Sequence, residues 1–214
     1  MGRDRQRGTT SLRRRVGVRR PRKTIAIFCE GERTEPEYLE ALKRQPAVRD
    51  VAAVDLRIDT QHLGSVPLTL VRLAVGAKER AAREEGEIDE FWCVFDVEWP
   101  TNHPGLREAL ELASRYGIHT AVSNPCFELW LALHFQDHRA WLDNDAARRL
   151  RRSHDRQVDK GLKGADYMAH IQLAASRAAA LEQWHADNGT RFPHDNPSSG
   201  MHRLIISTTL PPSF

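Results

Sequence analysis

Residues 91–97 read Phe-Trp-Cys-Val-Phe-Asp-Val, and the fold prediction starts from this apolar run. A short apolar run rich in aromatic and β-branched residues is typical of a strand that is buried on both faces. A second run of the same kind, TIAIFC, occupies residues 24–29. Such strands belong to parallel sheets that are covered by helices, so we predict an α/β fold.

Helix and strand patterns alternate on either side of these two strands. Thr34-Glu35-Pro36-Glu37 is a typical helix start, with Thr34 as the N-cap. Further helices are predicted from Pro67 towards Glu87, over 104–116 and over 126–135, and further strands over 54–59 and 118–123. The order β-α-β-α-β-α-β-α indicates a mostly parallel sheet with right-handed crossovers and helices on its faces.

The chain changes character near both ends of this alternating region. Residues 1–22 lack hydrophobic periodicity, residues 138–160 are highly charged, and residues 164–187 have the composition of one long alanine-rich helix. We therefore predict a basic flexible arm over 1–22, an α/β domain over 23–137, and a helical C-terminal extension over 138–214 that packs on the domain.

The net charge of +3 hides an uneven distribution. Residues 1–23 carry ten basic side chains and one acid, which leaves a net charge of −6 for the remainder. A basic arm on an acidic body is suited to holding a polyanion, so we predict nucleic-acid contact. The arm residues expected to make it are Arg13, Arg14, Arg15, Arg19, Arg20 and Arg22. The alternative is a solvated tail without a dedicated partner.

Several classes of protein are disfavoured by composition. No run approaches the ~20 apolar residues of a membrane-spanning helix, and the basic N-terminus lacks the apolar segment of a signal peptide. We therefore expect a cytoplasmic protein with no membrane partner. Three widely spaced cysteines suggest neither a disulfide framework nor a zinc knuckle. A glycine-rich loop of the P-loop type is also missing from the sequence, so the chain is not itself an ATPase of that class.

Three acids stand where the predicted strands end. Glu30 follows the first strand, and Asp96 and Glu98 lie at the end of the strand over 91–97. The carboxyl ends of parallel strands form the ligand crevice of an open sheet. Period-two geometry predicts that Asp96 and Glu98 share one side of their strand. A carboxylate among buried apolar residues is costly unless it is paired, hydrogen-bonded or bound to a metal.

Converging carboxylates without cysteine or histidine favour a hard cation over zinc, so the predicted cofactor is Mg²⁺ or Mn²⁺. Such an ion can polarise a phosphodiester, activate water and stabilise the leaving oxygen. Glu30 could also act as general base or acid, and Gly31 beside it allows a tight turn. In the alternative interpretation, Asp96 and Glu98 merely end a strand and Glu30 caps a helix.

Four segments resemble the RloB-like proteins, which are related to the AbiL abortive-infection component. The first is Cys29 to Tyr38, CEGERTEPEY, and the second is WCVFD at 92–96. The third and most distinctive is SNPCFELWLALHF at 123–135, and the fourth is NPSS at 196–199. They occur in the family's order between residue 24 and about residue 207, and the match is specific.

The resemblance implies a Toprim-like core. In Toprim domains a glutamate after the first strand and an Asp-x-Asp after the third bind the metal, and these positions fall on Glu30 and on Asp96 with Glu98. The longer Glu98 departs from the usual aspartate, which leaves one-metal or two-metal use open. Related proteins in phage defence are toxic nucleases that act with ATPases, so the resemblance implies a partner ATPase.

Other polar residues are candidates for substrate contact or for support of the acids. They are Glu35, Ser123, Asn124, Glu128, His134, Lys160, Asn196 and Ser198. Glu128 is an isolated acid in an apolar helix and needs a partner, either the metal site or a buried salt bridge. For His134 a structural role is the favoured interpretation, whereas Ser123, Asn124, Asn196 and Ser198 could equally form turns.

We therefore predict a metal-dependent nuclease, a hydrolase acting on RNA, tRNA or DNA in an abortive-infection system. The main alternative is a non-catalytic nucleic-acid-binding or regulatory subunit of a defence ATPase. A primase-like nucleotidyl-transferring enzyme would use the same acids. A homodimer is left open by the sequence.

Overall fold

The computed structural model describes residues 23–31, 33–51, 66–84, 88–99, 101–155 and 161–209. The basic arm, including the six arginines predicted to contact nucleic acid, lies outside these ranges, as do the predicted strand at 54–59 and Lys160. The predictions made for them are therefore not tested by the fold.

In the described residues, one sheet contains four strands in the order β1-β2-β3-β4. They are β1 (Ile25–Cys29), β2 (Glu90–Asp96), β3 (His119–Asn124) and β4 (Ser198–Ser199). The first three are parallel, and Asp96 at the end of β2 lies opposite Ser123 of β3. The two-residue β4 pairs antiparallel with β3. The predicted mostly parallel α/β sheet is confirmed.

Helices follow and cover these strands. They are α1 (Thr34–Lys43), α2 (Pro46–Val51), α3 (Pro67–Arg83), α4 (Leu106–Tyr116), α5 (Phe127–Leu133), α6 (Asn144–Asp155), α7 (Gly164–Met168), α8 (Ile171–Asp187) and α9 (Met201–Thr209). The helical C-terminal part of the predicted fold class is thus confirmed. None of these helices, within the part of the chain that is described, is long and apolar enough to cross a bilayer.

The sheet separates two hydrophobic cores, because successive side chains of a strand point to opposite faces. Ile25 and Ile27 of β1 pack in the core that also contains residues of α1, α5, α8 and α9. Ala26 and Phe28 pack in the core formed with α3 and α4. Burial on both faces explains why β1 and β2 read as continuous apolar runs. The thiols of Cys29, Cys93 and Cys126 are buried, as is usual for cysteine side chains that pack as small hydrophobes.

The predicted single helix over 164–187 is wrong. Helix α7 ends at Met168, and α8 begins at Ile171. The break lets Tyr167 and Met168 be buried, and Gly164 lies so close to Ala41 of α1 that a side chain there would clash. Tertiary packing therefore overrides the helix propensity of the alanine-rich sequence. A smaller difference is that α1 starts at Thr34 itself, after an N-cap position at Arg33.

His134 is a core residue directly after α5, as the favoured interpretation predicted. Its Nδ1 lies 3.0 Å from the carbonyl oxygen of Trp130 and its Nε2 lies 3.1 Å from Tyr38 Oη. Since a carbonyl can only accept, Nδ1 carries the proton and Nε2 accepts the tyrosine hydroxyl. Burial lowers the pKa of His134 to about 4.

Acidification is therefore expected to destabilise the protein through His134. The unfolded state, with a histidine pKa of about 6.5, binds a proton that the folded state does not bind until the pH falls to about 4. The stability present above pH ~6.5 should fall by about 3 kcal/mol as the pH drops to ~4. Urea denaturation at several pH values across this range measures the free energy of unfolding as a function of pH. This free energy should fall less with decreasing pH for His134→Gln than for the wild type. His119→Gln, at an exposed position, is the control, and its free energy of unfolding should depend on pH as that of the wild type does.

Candidate metal centre

The carboxyl ends of β1 and β2 place Glu30 and Asp96 side by side. The backbone N–H of Glu30 donates to the carbonyl of Val94 at 3.1 Å, which extends the β1–β2 pairing by one residue. The Glu30 carboxylate in turn accepts the backbone N–H of Asp96 at 3.3 Å. The parallel pairing of the two strands thus brings together two acids that are 66 positions apart in the chain.

Asp96 is the most unusual group of this site. Burial, and then the charges of Glu35, Glu128 and Glu30, hold the pKa of Asp96 well above its usual range. A hydrogen bond from the backbone of Phe127 opposes this rise only in part. The Asp96 Oδ1 atom is buried and has no hydrogen-bond partner among the described residues. An orphaned oxygen in an acidic site is a group that a cation could satisfy, because buried polar groups are normally paired.

Glu98 lies beyond the strand, so the prediction that it shares one side of the strand with Asp96 is wrong. Strand β2 ends at Asp96, and Glu98 has a left-handed backbone with φ 61°. This conformation is uncommon for a side-chain-bearing residue and turns the chain sharply. The backbone N–H of Glu98 donates to the carbonyl of Pro125 at 2.8 Å, which holds the turn against the segment after β3.

His103 joins the acids, and sequence reasoning missed it. Its Nε2 lies 2.8 Å from Glu30 Oε1 and 3.6 Å from Glu98 Oε2. Its backbone N–H donates to the carbonyl of Val97 at 3.2 Å, which folds the loop back on the end of β2. The interaction with Glu30, reinforced by the charge of Glu98, raises the pKa of His103 against the effect of burial. The available signal was a histidine in the loop after the central strand, five residues beyond Glu98.

Two further acids approach Asp96 from helix starts. Glu35, in the first turn of α1, is buried and packs against Gly31, where any side chain would collide with the Glu35 carboxylate. Glu128, in the first turn of α5, raises the pKa of both Asp96 and Cys126 through its charge. A side chain at position 31 would therefore displace the Glu35 carboxylate from the acids. Glu128 contributes its charge to the same cluster.

The remaining sequence candidates hold the C-terminal segment in place instead of facing the acids. The Ser123 hydroxyl lies 3.1 Å from that of Ser199, and Ser198 donates to Asp195. Asn196 makes two hydrogen bonds with the backbone of Leu142, at 3.1 and 2.7 Å. Asn124 also donates to Asp195, but its Oδ1 accepts the indole N–H of Trp99 at 2.8 Å. Asn124 therefore links the C-terminal segment to the residue after Glu98.

The donor chemistry of the acids fits a hard divalent cation. All the donors at the strand ends are carboxylate oxygens, which Mg²⁺ and Mn²⁺ prefer. The orphaned Asp96 Oδ1 supplies one oxygen without any loss of existing bonds. In the described part of the chain no three acidic, histidine or cysteine side chains already stand in ligand geometry. The His103 side chain instead lies between Glu30 and Glu98, where it interacts with both carboxylates as a bound cation would.

A cavity of about 530 Å³ lies elsewhere, beside the edge formed by β3 and β4. Its wall includes Thr120, Glu182, His185 and Phe192, and it contains none of the clustered acids. The acidic centre is thus separate from this large cavity.

Comparison with known proteins identifies one family. The family model described as RloB-like protein matches residues 25–207. This range includes the strand-end acids, His103 and the C-terminal segment. No curated protein and no solved structure matches the chain significantly.

Proposed function

The chain belongs to the RloB-like protein family, and from this membership and the acidic centre we propose a divalent-metal-dependent nuclease associated with phage defence. The observation that carries the proposal is the buried Asp96 Oδ1, which has no partner within the described residues although three acids surround it. A group in this state binds a cation more readily than it performs a structural task. The Toprim-like assignment of the core is part of the proposal.

Glu30, Asp96 and Glu98 are the residues that would hold Mg²⁺ or Mn²⁺. When bound, the ion would polarise the scissile phosphate and supply a nucleophilic water at neutral pH. Glu35 and Glu128 add negative charge around Asp96 and so increase the attraction for a cation. Glu98 would have to turn from His103 towards Asp96, which its position at the surface of the site permits.

The protein's own proton donor would be His103. Glu30 and Glu98 raise its pKa, so its Nε2 retains a proton at a higher pH than a free histidine does. An imidazolium beside a scissile bond can give this proton to the leaving oxygen as a general acid. Glu30 orients the ring, and the backbone hydrogen bond to Val97 holds the loop that carries it.

One observation favours the alternative of a non-catalytic subunit. Glu98 leaves the strand through a left-handed turn, and its carboxylate interacts with His103. In this alternative, the acids and His103 form a polar network that only binds nucleic acid or a partner ATPase of the defence system. Absence of a stability increase with Mg²⁺ or Mn²⁺ would support it, because a ligand of the folded state raises stability.

Cleavage assays test the proposal and identify the substrate. Labelled tRNA, single-stranded RNA and duplex DNA are incubated with the protein in Mg²⁺, Mn²⁺ or EDTA. We expect cleavage of at least one substrate in metal only, and a loss of about 100-fold or more in Glu30→Gln, equivalent to about 3 kcal/mol of transition-state stabilisation. Glu111→Gln, at an exposed site on α4, is the matched control and should retain full activity.

The opposite results are equally clear. Equal cleavage in EDTA, or by Glu30→Gln, would contradict the assigned metal site. Absence of cleavage on every substrate, together with no thermal shift in metal, would leave the binding subunit as the function. Absence of cleavage with a clear metal-induced shift calls for the same assay with a partner ATPase added.

A further inference from the structure

Trp141 is unusually exposed for its type. It lies in the loop between α5 and α6, and 57% of its surface is accessible, the highest value among the exposed large hydrophobic residues of the described ranges. Tryptophan is normally well buried because its large apolar surface contributes strongly to stability. One exposed residue alone means little. Its surroundings therefore decide whether it has a role.

The first relevant feature is the contact that links Trp141 to the residue next to the acidic centre. The Trp141 ring meets the ring of Trp99 edge to face, with centroids 6.3 Å apart, and Trp99 directly follows Glu98. Trp99 is fixed by Asn124 Oδ1, which accepts its indole N–H at 2.8 Å, and by Asn144 Oδ1, which accepts its backbone N–H at 3.0 Å. Trp141 is thus one aromatic contact from the residue that follows a proposed metal ligand.

The backbone beside Trp141 is firmly held. Leu142 is buried, and its N–H and carbonyl both bond to the side chain of Asn196. Asn196 belongs to the segment that also forms strand β4 against the sheet. Trp141 therefore stands on anchored backbone with its outer surface in solvent, which reduces the entropy lost when a ligand stacks on it.

The second relevant feature is a basic strip on α6, the helix that follows Trp141. Arg148, Arg149 and Arg152 are exposed, whereas Ala147 and Arg151 face the core. Residues 148, 149 and 152 share a helix face because three and four positions separate them. Arg148 and Arg152 are about 6 Å apart along the helix axis, at about 1.5 Å per residue. The strip carries positive charge directly after the aromatic platform.

We propose that Trp141 stacks on an unpaired base and that Arg148, Arg149 and Arg152 contact phosphates of the same single strand. This inference rests on the proposed function, because it seats the strand beside the acidic centre. Every base has an apolar face that can stack on tryptophan, and a positively charged track holds the backbone. In a duplex both faces of each base are covered by its neighbours, so the surface selects single-stranded nucleic acid, RNA or DNA.

Binding without cleavage tests this surface. Fluorescently labelled single-stranded RNA, single-stranded DNA and the matching duplex are titrated in EDTA with the full chain. We expect tighter binding of the single strands, and a loss of roughly 5- to 150-fold for Trp141→Ala. Trp141→Phe keeps an aromatic face and should lose much less. Leu173→Ala, at another exposed apolar residue, is the control and should bind as the wild type does.

Salt dependence separates stacking from charge. Each phosphate contact contributes about 0.7 to the slope of log K against log salt for a single strand. The double variant Arg149→Gln/Arg152→Gln should lower this slope by about 1.4, and Trp141→Ala should leave the slope unchanged. Wild-type affinity in Trp141→Ala, or preference for the duplex, would overturn the proposal. If the wild type cleaves no substrate but Trp141→Ala loses binding, the stacking surface is supported and the nuclease proposal is rejected. If the wild type cleaves a substrate but Trp141→Ala binds as the wild type does, the nuclease proposal is supported and the stacking surface is rejected.

Discussion

Replacing Asp96 with asparagine is expected to reduce metal-dependent cleavage by roughly a thousand-fold or more, about 4 kcal/mol, and at the same time to stabilise the metal-free protein. The two effects have one cause. Asp96 is half-buried, and the pKa of its carboxyl group is raised by desolvation and by the charges of three glutamates. Asparagine can still accept the hydrogen bond from Phe127, but it carries no charge to hold a cation.

The sign of the stability effect follows from the direction of the pKa shift. A carboxyl group whose pKa is raised in the folded state contributes its stability below its unfolded pKa, near 3.9, and loses it as the pH rises through the folded value. At neutral pH, which is above the unfolded pKa, part or all of this stabilisation is lost, so the aspartate lowers the stability of the metal-free protein. Asp96→Asn removes this penalty, so its melting temperature in EDTA should exceed that of the wild type.

Thermal denaturation in EDTA and in Mn²⁺, beside the cleavage assay, measures both effects. We expect Mn²⁺ to raise the melting temperature of the wild type and to leave that of Asp96→Asn unchanged. An Asp96→Asn protein that is less stable than the wild type in EDTA would show that Asp96 is a structural residue. Activity that survives the substitution would remove Asp96 from the proposed chemistry.

Substitution of Arg151 by methionine is expected to destabilise the protein by about 3–5 kcal/mol, because it removes one member of a buried ion pair. Arg151 on α6 is buried, and its Nε lies 2.7 Å from Asp155 Oδ2. Its second amino group donates to the carbonyl of Gly161 at 2.7 Å, and the Tyr167 hydroxyl donates to Asp155. The network connects α6 to α7 across the segment between them.

Urea denaturation of three variants tests the network. Arg151→Met should have the largest effect, and Arg151→Met/Asp155→Asn should be less destabilised, since the double variant also removes the buried carboxylate charge. Arg149→Met, two positions away but exposed, should change stability by less than about 0.5 kcal/mol. Equal effects at positions 149 and 151 would show that the buried ion pair contributes nothing.

Local patterns were sufficient to predict the sheet and two of its acids. Continuous apolar runs indicated β1 and β2, and parallel strands place their carboxyl ends along one edge. The proximity of Glu30 and Asp96 followed from these two facts. The same reasoning failed at Glu98, because period-two alternation holds only within a strand, and β2 ends two residues earlier.

Contacts between segments that are distant in the sequence produce two features of the fold that local patterns did not predict. The break between α7 and α8 depends on packing against α1 and on the burial of Tyr167. Strand β4 exists because Ser198 and Ser199 meet the exposed edge of β3. Neither feature has a local sequence signature. For β4 the reason is that serines and prolines are common in turns, so their presence does not indicate a strand.

The sequence by itself determined the α/β class, the buried central strands, the membership in the RloB-like family and the presence of carboxylates at the strand ends. Only the tertiary structure decided that His103 lies between Glu30 and Glu98, that Asp96 Oδ1 has no partner among the described residues, and that Trp141 stands beside Trp99. Periodicity reports which face of an element is buried, because burial repeats with the geometry of the backbone. Loop residues have no such period, so their positions are set by long-range hydrogen bonds and packing.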